Sequence, residues 1–311
     1  MQVAGSATLA TILPSTLEGR GTSGEETKAL FAHTRPLFVH SYELVVRDLE
    51  RVSRYYQKAI GLELISSHLS GHVLGVGGVP LLTLEQDKTA DVEPRRTAGL
   101  YHMAFLVPTR EDLGRFLKHL VEEKISLDGS ADHLVSEALY LSDPEGNGIE
   151  VYADRSHQVW EFDRGGHVRL DSKALDVRGL LAAAAKGPWE GLPARTGLGH
   201  IHLQVGDVPE AAQFYEGVMG MKVMARMKGA IFFATGDYHH HIGANVWHSE
   251  GALKRKRKMS GLKGYRMVYN DAAEMEKAIQ TLDELEIVVT SSASGKVIED
   301  PWGMRIELGV V

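Results

Sequence analysis

The sequence predicts an α+β protein built from four β-α-β-β-β units in tandem, and three observations carry that prediction. Short β-rich stretches recur, such as Ser41-Tyr42-Glu43-Leu44-Val45-Val46, whose alternation gives a strand with one buried face. That stretch runs into a helical face: Asp48 is the N-cap by residue type, Leu49, Val52, Tyr55, Tyr56 and Ile60 fall on one side, and Gly61 ends the helix. The same signature then returns. Asp48 matches Asp207, Tyr55-Tyr56 matches Phe214-Tyr215, and Gly61 matches Gly220. Farther on, Asp143-Pro144 matches Asp300-Pro301 and Ile149-Glu150 matches Ile306-Glu307. Self-similarity over this length marks an internal duplication with two units in each half.

Residues 1–36, rich in Ser, Thr, Gly and Ala, read as an N-terminal extension, loosely ordered or docked on the surface. The first half covers 37–153. Its first unit continues with strands at 62–66, 72–76 and 80–85. Its second opens with a strand at 99–107, and in the helix 110–123 Leu113, Phe116, Leu117 and Leu120 share a face. Strands at 125–127, 138–141 and 148–152 close it, the last two joined by a turn through Asp143-Pro144-Glu145-Gly146-Asn147. Residues 154–195, with Trp160, Trp189, Pro188, Pro193 and a helical run over 180–185, break the pattern and read as a linker packed on its neighbours. The second half covers 196–311.

The 311 residues carry 34 basic and 41 acidic side chains, a net charge of −7, which argues against nucleic acid as the main partner. There is no cysteine, so disulfides, thiolate metal sites and cysteine nucleophiles are excluded, and any metal falls to His, Asp or Glu. No apolar run is long enough to span a bilayer, and no basic-then-apolar leader opens the chain; a cytoplasmic protein without a membrane partner is expected.

Three stretches of the second half carry metal-ligand chemistry: Gly199-His200-Ile201-His202-Leu203, Tyr238-His239-His240-His241-Ile242-Gly243, and the ending Asp300-Pro301 to Ile306-Glu307-Leu308. Two imidazoles and one carboxylate form the facial triad that holds iron(II) with positions left open. The expected ligands are His200, His241 and Glu307. His202 shares a strand face with His200 but sits at another depth. His240 is the expected proton-transfer group, with His239 as its alternative, and Tyr265 is a candidate donor to a bound diol. Each has a plainer reading: packed core histidines, a solvated histidine loop, an ordinary strand tyrosine. The run Lys254-Arg255-Lys256-Arg257-Lys258 reads as a solvated loop whose field draws in anionic substrates. The first half keeps His102 and Glu150 but has Ser41 where the second has His200, so it is expected to be structural.

The strand His200 to Val205 leading into Asp207-Val208 and Phe214-Tyr215, together with the ending Asp300-Pro301-Trp302-Gly303 to Ile306-Glu307-Leu308, resembles the vicinal oxygen chelate superfamily of glyoxalases, bleomycin-resistance proteins and extradiol dioxygenases. The stretches 98–102, 130–140 and 236–243 are similar to the two-domain catechol 2,3-dioxygenases. The resemblance implies paired units whose sheets curl into half-barrels around a divalent metal, iron(II) or manganese(II). It implies a small aromatic diol and O2 as substrates, and leaves room for a homo-oligomer. It also implies a second histidine ligand at the position of Gly264, where this chain has none; His241 then either replaces that ligand or serves as the acid/base. Two other readings stay open. One is a glyoxalase-type isomerase or thiol transferase, against which Gly243-Ala244-Asn245 supplies no carboxylate. The other is a binder of small aromatic compounds.

Overall fold

Aspartate caps open the first helix of each half. Asp48 accepts from the Arg51 amide and Asp207 from the Glu210 amide, satisfying orphan N–H groups at the helix start. Both helices widen into a π turn, and Gly61 (φ 89°) and Gly220 (φ 66°) leave it in the left-handed region open to glycine. The structure, a computed structural model, describes residues 29–311 apart from Arg95 and Arg257; the rest of the expected N-terminal extension lies outside the described residues.

The first unit is β1 (Leu37–Val46), α1 (Leu49–Tyr55), β2 (Glu63–His68), β3 (Gly71–Val76) and β4 (Val79–Gln86). The second is β5 (Gly99–Leu106), α2 (Arg110–Glu122), β6 (Gly129–Asp132), β7 (Ser136–Ser142) and β8 (Gly148–Asp154). In the linker, α3 (Val177–Ala183) packs on α2, and Trp189 stacks on His119. The third unit is β9 (Gly197–Gln204), α4 (Val208–Ala212), β10 (Lys222–Met227), β11 (Ala230–Ala234) and β12 (Ile242–Asn245). The fourth is β13 (Gly261–Tyr269), α5 (Ala272–Glu284), β14 (Thr290–Ser291), β15 (Lys296–Glu299) and β16 (Arg305–Val310). The α+β tandem architecture is therefore present, with two mixed sheets curled into half-barrels.

The sheets do not follow the halves. One runs β14-β15-β16-β13-β1-β4-β3-β2 and joins units four and one; the other runs β10-β11-β12-β9-β5-β8-β7-β6 and joins units three and two. The repeated motifs tie the sheets together. Tyr56 of unit one donates to Asp143 of unit two at 3.3 Å, and Tyr215 of unit three to Asp300 of unit four at 3.1 Å. Each aspartate also folds its own turn, Asp143 accepting from the Glu145 and Asn147 amides and Asp300 from those of Trp302 and Met304. Tyr42 on β1 adds a crossing: its hydroxyl donates to the His200 carbonyl at 2.5 Å and accepts from the Ala104 amide at 3.1 Å. The larger of two apolar clusters, including Tyr42, Phe105, Leu198, Ile201 and Tyr265, draws on both sheets, and a second gathers around Ala104, Tyr152, Phe232 and Tyr238.

The strand expected at 125–127 is not one. Lys124 turns left-handed (φ 55°) and the Ile125 amide donates to the Leu120 carbonyl, so this segment closes α2 and anchors Ile125 and Leu127 on the core. Pairing with β7 begins later, at Gly129.

Candidate metal centre

Antiparallel pairing of β5 with β9, and parallel pairing of β5 with β8, sets Ala104 opposite His200 on one side and Glu150 on the other. Strand periodicity puts His102, two residues before Ala104, on the same face. The three side chains converge. His102 Nε2 lies 2.9 Å and His200 Nε2 3.1 Å from the same Glu150 oxygen, Oε2, and the two nitrogens are 3.4 Å apart. Donors about 2.1 Å from one ion, at right angles, lie about 3 Å from each other, so the set fits a facial triad. Gly199 makes room for this strand: a Cβ there would stand 1.6 Å from the Tyr152 hydroxyl.

The charge balance also points to a cation. Glu150 is 2% exposed, with the ring nitrogens of His102 and His200 both against one of its oxygens. Burial pushes the His200 imidazole down to about 4, so it is neutral. A buried carboxylate with a neutral imidazole beside it is costly unless a positive charge joins it. Among the described residues, none of those lining the cavity above the triad is Lys or Arg.

That cavity measures about 530 Å³. Tyr101, Phe232 and Trp247 bound it with aromatic surface, and His133 and Tyr140 supply polar groups, His133 Nε2 lying 2.6 Å from the Tyr140 hydroxyl. His240 lines it as well, its ring centroid 4.1 Å from that of His200. The His239-His240-His241 run is a buried turn before β12, not a solvated loop. His202 lines the cavity beside the triad, with its buried Nε2 unpartnered.

The set expected from sequence is therefore corrected in part. His200 is in the cluster; His241 and Glu307 are not. Both ring nitrogens of His241 are occupied, Nδ1 accepting from the Thr235 amide at 3.4 Å and Nε2 donating to the Ala32 carbonyl at 3.2 Å. Glu307 lies on β16 in the other sheet, bound by Arg305 at 2.5 Å, Arg266 at 3.4 Å and Ser294. Tyr265 is buried in the core against Tyr215, hydroxyls 3.3 Å apart, and does not line the cavity. Two members of the basic run are engaged: Lys254 pairs with Glu299, and Arg255, with its side chain 5% exposed, with Glu93.

His102 and Glu150, in the half expected to be structural, complete the cluster. A signal for them existed. The second unit has a histidine in its first strand and, at the repeat position of Glu307, a glutamate in its last, whereas Gly264 leaves the fourth unit without the histidine. Units two and three together hold a full triad; units three and four do not.

A sequence profile described as the Glyoxalase/Bleomycin resistance protein/Dioxygenase superfamily matches residues 38–151 and 197–308. A catechol-2,3-dioxygenase of Bacillus subtilis (strain 168) is 38% identical over 256 residues, covering 81% of this chain and 90% of that protein. A solved structure from Bacillus subtilis subsp. subtilis str. 168 has a TM-score of 0.61 at 12% identity, covering 89% of this chain and 86% of the other. Glyoxalase I from Zea mays has a TM-score of 0.52 at 15% identity, covering 89% and 94%. At such identities these two structures speak to the fold alone.

Proposed function

This chain belongs to the Glyoxalase/Bleomycin resistance protein/Dioxygenase superfamily, and from that premise we propose that it is a metal-dependent extradiol dioxygenase. It would open the ring of a catechol-like diol beside its two hydroxyls, with both atoms of O2 entering the product. The observation that carries this reading is the convergence of His102 Nε2, His200 Nε2 and Glu150 Oε2 on the wall of an aromatic-lined cavity, with His240 beside them. The 38% identity to a catechol-2,3-dioxygenase supports it.

His102, Glu150 and His200 would hold a divalent metal, iron(II) by the chemistry of the donor set, with manganese(II) as the alternative. When bound, the metal supplies Lewis acidity and a template for both diol oxygens and O2. The residues do the rest. His240 accepts a proton from a diol hydroxyl and returns one as the ring opens. Tyr140, hydrogen-bonded to His133, presents a fixed polar group to the same space. Tyr101, Phe232 and Trp247 give the ring an apolar bed and exclude water from it.

Oxygen uptake on adding catechol to protein loaded anaerobically with iron(II), and in parallel with manganese(II), tests the proposal. Stoichiometric uptake with a yellow ring-opened product supports it. Metal bound without uptake, or turnover of a hemithioacetal without oxygen, overturns it.

A further inference from the structure

Behind His240 lies a chain of hydrogen bonds. His240 Nδ1 is 2.8 Å from His239 Nδ1, and His239 Nε2 is 2.9 Å from Asp154 Oδ1. The Tyr238 hydroxyl donates to the other Asp154 oxygen at 3.1 Å and lies 2.7 Å from the Tyr152 hydroxyl. His239 is fully buried, so bulk solvent does not reach its ring.

We infer that Asp154 and His239 are positioning residues that fix the tautomer of His240, leaving its Nε2 unprotonated toward the bound diol. The inference rests on the proposed dioxygenase reading and deepens it. A carboxylate oxygen accepts, so the nitrogen facing it, His239 Nε2, carries the hydrogen. A neutral imidazole has one N–H, so His239 Nδ1 is an acceptor. The nitrogen facing that acceptor, His240 Nδ1, must then donate. The ring nitrogen of His240 outside this chain is Nε2, left with its lone pair, which is what a proton acceptor needs. In that step the diol O–H bond breaks, its electron pair stays on oxygen, and the proton joins Nε2. With the opposite tautomer, His240 would present an N–H to the diol hydroxyl and could take nothing. The logic parallels a buried aspartate that sets the tautomer of a catalytic histidine, extended here through one more ring.

The test reads the tautomer directly. Long-range proton–nitrogen NMR on the full chain labelled with 15N-histidine, metal-free and loaded with diamagnetic zinc, in mildly alkaline buffer, distinguishes bare from protonated ring nitrogens. Assignment comes from loss of signals in His240→Gln and His239→Gln. The expected result is His239 protonated on Nε2 and His240 on Nδ1. His240 protonated on Nε2 in the wild-type protein overturns the inference, and this reading requires no substitution at Asp154. In Asp154→Ala, His240 is expected to populate both tautomers. Its kcat for catechol is expected to fall about ten- to hundredfold, with KM and iron content within about twofold. An unchanged tautomer with unchanged kcat in that variant also overturns it. The spectrum and the wild-type oxygen uptake are separate readouts: absent uptake with the expected tautomers would fell the dioxygenase reading and leave the lock standing.

Discussion

The two sheets hold the same position twice and fill it differently. In one, Ala104 stands between His200 and Glu150; in the other, Arg266 stands between Ser41 and Glu307 in the same register. His102 lies two residues before Ala104, and Gly264 two before Arg266. Each glutamate is nearly buried, Glu150 at 2% and Glu307 at 5% exposure. Both need a positive charge. Glu307 receives it from Arg266 and Arg305, whereas Glu150 faces neutral imidazole and an open cavity. A buried carboxylate in this fold is thus no marker of a metal site until its neighbours are known. The guanidinium of Arg266 does in one sheet what a dication would do in the other.

The largest effect should separate the two glutamates. Glu150→Ala should lose bound iron and oxygen uptake by at least about a thousandfold, while Glu307→Ala keeps both within about twofold. Equal losses in metal analysis and turnover would erase the contrast. A graft probes it from the other side. Ser41→His, Gly264→His and Arg266→Ala together would supply the missing donors, yet the second sheet should still take up no metal. A Cβ at Gly264 would stand 2.7 Å from the Arg305 carbonyl oxygen, so the new ring cannot seat without moving backbone. Two metal ions per chain by elemental analysis would show that donors alone suffice.

Removing Arg266 and Arg305 together should cost about 1–3 kcal/mol at neutral pH, read by thermal melting. Burial opposes the Glu307 charge, but Ser294, Arg305 and Arg266 outweigh it and hold the carboxyl below its usual value. A depressed folded pKa contributes stability that is present above the unfolded value, about 4.3, and lost as pH falls through the folded one. The gap between wild type and double variant should therefore narrow in acid; a constant gap would assign the cost to packing instead. The smallest effect is expected at Tyr265→Phe. Among the described residues its hydroxyl meets only that of Tyr215, at 3.3 Å, so stability should fall by about 1 kcal/mol or less and catechol turnover should stay within about twofold.

Much of this architecture is local and was legible. Aspartate caps, strand alternation, glycine helix ends and the Asp-Pro turns follow from the chemistry of a few adjacent residues, and their recurrence exposed the duplication. His200 stands out in the residues as an imidazole at the opening of a strand, and the structure sets it in the cluster. His102 and Glu150 were visible as residues but not as partners, because their meaning depends on which strand lies beside them. His241 misled because a histidine in an apolar neighbourhood looks the same whether it binds a metal or two backbone groups.

The sequence by itself determined four units, their β-α-β-β-β succession and the residue types available for a metal. Only the tertiary structure decided that unit two pairs with unit three, and unit four with unit one. Strand pairing of this kind is a contest between distant segments, settled by the core the two sheets share, by Tyr42 reaching from one to the backbone of the other, and by a linker long enough to allow the exchange. Local pattern specifies which face of a strand is buried; it carries no information about which neighbour completes the triad.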